Sequence, residues 1–175
     1  MISSDQLGHQ EINMPEVVQT MTAWWGDGVL TREGTVDRRK VASVVFGDPS
    51  QRHRLEALLH PRIAIRRADM MEAFDNQPRI KFIVIDTPLL YEADLDLMCD
   101  AVVFVDTDQE IRCQRSEKHR NWPEGEWARR EKNQQALDMK RARADYICKN
   151  NSTLIDLRKQ VENIVSQVLT EFAAA

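Results

Sequence analysis

The stretch Phe82-Ile-Val-Ile-Asp86-Thr-Pro88-Leu-Leu-Tyr-Glu92 constrains the fold of this chain more than any other. Four large apolar residues in a row, three of them β-branched, run into an aspartate and then a proline. A short run of this kind predicts a strand buried on both faces that stops abruptly. In open α/β sheets ligands bind just beyond the carboxyl ends of such strands, which puts Asp86 where chemistry is expected. An aspartate at that point also suits a cap for the next turn, and both readings stay open on this stretch alone.

The remainder of the second half repeats the pattern. Ala101-Val-Val-Phe-Val-Asp106 is another apolar run ending in an aspartate, and Tyr146-Ile-Cys148 is a shorter third. Helical segments are predicted between them at about 109 to 120 and about 125 to 143. Strands alternating with helices predict a parallel sheet with crossover helices, an α/β fold. Leu154, Leu157, Val161, Ile164, Val165, Val168, Leu169 and Phe172 keep helical spacing and predict a last helix packed on the sheet.

The first half reads as helical. Ile2 to His9 is too short to form a complete strand. Pro15 opens a segment in which Val17, Val18, Met21, Trp24 and Trp25 recur at helical spacing, ending at Gly26 and Gly28. Thr31 to Gly34 is a predicted turn, and Asp37 is a good N-cap for a short helix through Val41, Val44, Val45 and Phe46. Asp48-Pro49 opens another helix with Leu55, Leu58 and Leu59 on one face. Proline disfavours helical dihedrals in the residue before it, so a break is expected at His60-Pro61, with a second helix from Ile63 to Phe74. A histidine at such a junction suits either ligand contact or an N-cap.

Composition narrows the function classes. The 175 residues suit one domain, with 30% charged and 42% hydrophobic residues and a net charge of -4. No basic excess points to nucleic acid or anionic membrane, and no apolar run approaches the roughly 18 residues of a membrane span. Met-Ile-Ser-Ser-Asp5 lacks the features of a signal peptide. Cys99, Cys113 and Cys148 are odd in number and far apart, as expected of reduced thiols in a cytoplasmic protein. No internal repeat, low-complexity tract or flexible linker is visible. The bases between Arg112 and Arg143 are interleaved with glutamates and suit a solvated helix face. They also suit a mobile arm whose arginines clamp phosphate oxygens, broken at Trp122, Pro123 and Gly125.

Asp86-Thr-Pro-Leu-Leu-Tyr-Glu92 resembles the D-x-P-L-L-F-E signature of the dephospho-CoA kinase family. Leu59-His60-Pro61-Arg-Ile63 is similar to the family's L-H-P-x-I motif. Gly26 to Leu30, Glu33-Gly34 and Asp37-Arg38 are similar to its turn and short helix, and Gln134, Lys140, Ala144-Asp145, Ile147 and Asn150 follow the order of its Q, K, A-D, I, N run. The matches extend from about Ser3 to Asn150 in the family's order.

The resemblance implies transfer of the γ-phosphoryl group of ATP to the ribose 3′-hydroxyl of dephospho-CoA, with Mg2+. It implies a single P-loop kinase-like α/β domain over 1–175, with a helical substrate subdomain at about 10–75 and a helical lid at about 112–143. Ile2-Ser3-Ser4-Asp5 matches the family's V-I-D-A-D segment, which makes Asp5 the implied general base. His60, Leu89 and Leu90 would face dephospho-CoA, Arg115, Arg120 and Arg130 the ATP phosphates, and Asn150 the adenine. No residue here is assigned to the metal. Neither a nucleic-acid nor a membrane partner is implied, and the oligomeric state is not determined.

Two departures stand out. Where the family has a second lid arginine four residues after Arg115, this chain has His119 with Arg120 beside it. The family's first strand and its phosphate loop of the form G-x-x-G-x-G-K-[ST] do not occur in these residues. By resemblance that strand would lie between those at 81 to 86 and 101 to 105, so its loss is expected to leave backbone groups unpaired. The expectation is therefore a start codon placed too far downstream or a degenerate relative, and the competing function is a non-catalytic remnant that binds dephospho-CoA or a protein partner.

Overall fold

The computed structural model describes the backbone of residues 1–120, 131 and 134–172. The chain divides into two compact units, Met1–Thr87 and Pro88–Ala175. The first holds β1 (Ile2–Ser3), α1 (Ser4–Glu11), α2 (Pro15–Trp25), α3 (Arg38–Gly47), α4 (Pro49–Asp75) and β2 (Ile85–Asp86). The second holds β3 (Val103–Asp106), α5 (Gln109–Arg120), α6 (Leu137–Arg143), β4 (Tyr146–Lys149) and α7 (Leu154–Phe172).

Local chemistry sets the helix ends of the first unit. Pro15 starts α2 where its missing N–H is no loss, and Gly26 ends it at φ +73°, a conformation that favours glycine. The Asp37 carboxylate caps α3 by accepting from the N–H groups of Arg39 at 3.0 Å and Lys40 at 3.3 Å. Asp48 caps α4 in the same way, accepting from Ser50 N–H at 2.8 Å. The apolar stripes so positioned bury Ile12, Val17, Met21, Val29, Val36 and Val41 together, with Leu55, Leu58 and Leu59 of α4 packed against them.

Three expectations are corrected. No break occurs at His60, because α4 runs unbroken from Pro49 to Asp75 with Pro61 inside it. An internal proline costs about 3 kcal/mol through its lost hydrogen bond and ring clash. Contacts on both sides of it offset that cost. Leu58 and Leu59 sit on the core, and Arg62 bonds Glu11 at 3.2 Å and also pairs with Glu16. The stretch Ile2 to His9, read as too short for a complete strand, is helical from Ser4 onward as part of α1, with Leu7 and the ion-paired Glu11 of that helix buried.

The third correction concerns the strands. They do not lie buried on both faces: Phe82 is 46% exposed and Val105 56%. Each unit has a two-stranded parallel ladder, β1 with β2 in register Ile2↔Ile85 and Ser3↔Asp86, and β3 with β4 from Val103↔Tyr146 to Asp106↔Lys149. Among the described residues β2 and β3 therefore each have one edge with no hydrogen-bonded neighbour, and β2 is only two residues long. α7 does pack along β4: the Gln160 amide bonds both the N–H and the C=O of Lys149, each at 2.9 Å, and Tyr146 OH donates to Glu171 at 2.6 Å.

Met21, fully buried in the helical core, should cost about 2 to 5 kcal/mol when truncated to alanine, while Asp37→Ala should cost about 1 kcal/mol through the lost cap. Urea unfolding of the two variants checks both values.

Candidate active site

In the first unit the parallel ladder ends at Ser3 and Asp86, so both residues stand at the carboxyl ends of their strands. The chain enters α1 at once, which places Asp5 in the first helical turn, exposed to solvent. Negative charge is favoured there by the unsatisfied N–H groups of the helix start. Four residues on, burial and the charge of Arg38 hold the His9 imidazole below its ordinary value of 6.5, against an upward pull from Asp5. A Cβ on Gly8 would lie 3.7 Å from Ile63 Cδ1, which marks the close approach of α1 and α4. Asp5 and His60 each lie within about one helical turn of that contact along their own helices. His60 is exposed on α4.

In the second unit the predicted ATP residues partly converge. Arg115 Nη1 donates to the carbonyl of Asn150 at 3.0 Å, and Asn150 N–H donates to Asp106 O at 2.7 Å. Arg141 pairs with Asp106 at 3.2 Å, and Arg112 donates to Thr107 O and pairs with Glu131 at 2.7 Å. Cationic side chains of α5 and α6 thus gather at the carboxyl ends of β3 and β4. The Arg120 side chain and all of Arg130 lie outside the described residues.

Leu89, 41% exposed, and the half-buried Leu90 lie in a loop anchored at both ends. Lys140 Nζ donates to Pro88 O at 2.8 Å, pairs with Glu92 at 2.8 Å and reaches Gln134 Oε1 at 3.3 Å. Glu92 Oε1 also accepts from Gln135 N–H at 2.8 Å. The Arg143 guanidinium lies 4.2 Å from the centre of the Tyr91 ring and bonds Asp96 at 2.5 Å. Asp145 accepts from Val102 N–H at 2.8 Å and so ties the start of β4 to β3. Sequence reading singled out Glu92, Gln134, Lys140 and Asp145 as motif residues but missed that they bond the loop and the strands. Their joint occurrence in the two motifs was the available signal.

A sequence profile described as dephospho-CoA kinase matches residues 1–156. The chain belongs to the dephospho-CoA kinase family. It is 34% identical to the dephospho-CoA kinase of Bacillus licheniformis over 157 residues, covering 89% of this chain and 76% of that protein. With the enzyme of Corynebacterium glutamicum it shares 33% over 172 residues, 97% of this chain and 85% of the relative. Two solved structures share the fold: TT1252 from Thermus thermophilus, at TM-score 0.76 and 24% identity over 95% of this chain and 83% of that one, and a dephospho-CoA kinase from Campylobacter jejuni, at TM-score 0.69 and 20% identity over 97% and 85%. Membership makes this a transferase family of coenzyme A synthesis, on an α/β fold with parallel strands and flanking helices. No described helix is long and apolar enough to cross a membrane.

Glu92 gives a pH test of the loop anchor. Burial pushes its carboxyl up, but the hydrogen bonds from Lys140 and Gln135 N–H, with the Lys140 charge, outweigh that and hold it below its ordinary 4.5. A depressed carboxylate contributes stability in full above the unfolded value, and the contribution is lost as pH falls through the folded one. Urea midpoints measured from neutral pH down to about pH 3 should therefore fall more steeply for the unaltered chain than for Glu92→Gln.

Proposed function

We propose that this chain transfers the γ-phosphoryl group of ATP to the ribose 3′-hydroxyl of dephospho-CoA, giving coenzyme A. The observation that carries the reading is the position of Asp5, solvent-exposed, in the first turn of α1 and just after the carboxyl end of a parallel strand pair. Its carboxylate orients the acceptor hydroxyl and takes its proton as the phosphoryl group arrives. His60, Leu89 and Leu90 hold the acceptor. Arg115, Arg120 and Arg130 hold phosphate oxygens, whose geometry their planar donors match, and Asn150 lies by the adenine. Among the described residues no cluster of three or more His, Cys, Asp or Glu side chains forms a metal cage. A Mg2+ ion arriving with ATP would be carried mainly by phosphate oxygens and would neutralise charge on the transferring group.

The second reading is binding of dephospho-CoA without turnover. Coenzyme A formation by the chain with ATP, Mg2+ and dephospho-CoA separates the two. The kinase reading expects turnover that falls about 100-fold or more in Asp5→Asn, with the KM for ATP within about twofold. A folded chain that binds dephospho-CoA but forms no product would support the second reading and sink the first.

A further inference from the structure

Two sequence motifs lie 42 residues apart at their nearest ends, Asp86 to Glu92 and Gln134 to Asn150, and the proposed chemistry leaves Glu92, Gln134 and Lys140 without a task. The structure gathers these three on one buried ammonium. Lys140 is 7% exposed, and its three N–H donors match three acceptors: Pro88 O and Glu92 Oε1 at 2.8 Å, and Gln134 Oε1 at 3.3 Å. Burying a lysine is costly unless it is paired and fully hydrogen-bonded, as this one is.

The acceptors bracket Leu89 and Leu90. Pro88 lies just before the leucine pair and Glu92 just after it, past Tyr91. Arg143, one turn along α6 from Lys140 and on the same face, covers the Tyr91 ring and holds Asp96. Within the loop Leu89 O accepts from Ala93 N–H at 3.1 Å and Leu90 O from Leu95 N–H at 2.9 Å. The Pro88 carbonyl before the leucine pair and the Glu92 side chain after it are therefore both fixed to Lys140 of α6, while the Leu89 side chain stays partly exposed.

We infer that Lys140 and Glu92 are positioning residues, which hold the Leu89-Leu90 loop in the shape that takes up the acceptor substrate. They touch neither reacting atom in this scheme and act only through the loop. The inference rests on the reading of Leu89 and Leu90 as the dephospho-CoA contact. A lysine is required because a single ammonium satisfies a backbone carbonyl, a carboxylate and an amide oxygen in three directions. A planar guanidinium does not offer that arrangement.

The test uses the full chain with Lys140→Met, and Glu92→Gln as a near-isosteric second variant should the first fail to fold. Calorimetric binding of dephospho-CoA and of ATP is measured beside hydrogen exchange of the amides of residues 89 to 92 without ligand. The expected result is a dephospho-CoA Kd raised about tenfold in Lys140→Met and about threefold in Glu92→Gln, with the ATP Kd within about twofold and faster exchange at 89 to 92. A purely structural role would weaken both ligands together. Unchanged exchange and unchanged dephospho-CoA binding in folded variants would overturn the inference alone. An unaltered folded chain that binds no dephospho-CoA would overturn the acceptor reading and the inference with it.

Discussion

Two strands can run parallel only if the chain between them crosses back, and in both ladders of this protein helices make the return. In the first unit the crossover carries α1 to α4, and in the second it includes α5 and α6. Parallel pairing puts the carboxyl ends of both partners at the same end of a ladder. Ser3 and Asp86 meet at one such end, Asp106 and Lys149 at the other, with Asp5 and Asn150 immediately beyond. Asp5 and Asn150, two of the residues proposed for the site, thus follow strand ends, the positions that strand direction makes available to ligands. In the second unit side chains from the crossover helices reach the carboxyl end of the ladder: α5 brings Arg115 to the Asn150 carbonyl and α6 brings Arg141 to Asp106.

Much of this was readable where the signal is local. Asp37 and Asp48 cap the helices they were expected to cap, because an N-cap needs only an acceptor and the next three residues. The helix from Pro15 and the amphipathic last helix were visible in their 3.6-residue periodicity. What failed depends on partners distant in sequence. Ser4–Glu11 carries a weak apolar pattern and becomes helical with Glu11 bonded to Arg62 of α4, a pairing that no window on residues 1 to 11 contains. The break expected at His60 obeyed the local rule for the residue before proline, but tertiary packing on both sides outweighed it. The strand at 81 to 86 was read as buried from its apolar run, whereas burial depends on how many neighbours a strand has.

At the candidate site, motifs could be read from the sequence and the bonds between their residues could not. The motifs point to Asp5, His60, Leu89, Leu90, Arg115 and Asn150 as the proposed site residues. The Arg115 bond to the Asn150 carbonyl and the Lys140 cluster join residues 35 and 52 positions apart, and a sequence encodes such bonds only through the fold. Several of these bonds accept on main-chain carbonyls, which carry no residue-type signature at all.

Pro61 also affects the mechanics of α4. Lacking an amide hydrogen, it leaves the Ala57 carbonyl without its usual donor in the next turn, at about the middle of a 27-residue rod. A rod with one rung missing bends most easily at that rung. The compliant point of α4 therefore falls beside His60, between a first half seated on the apolar core and a second half held by Arg62, so thermal bending of this helix is expressed mainly as movement of His60's neighbourhood.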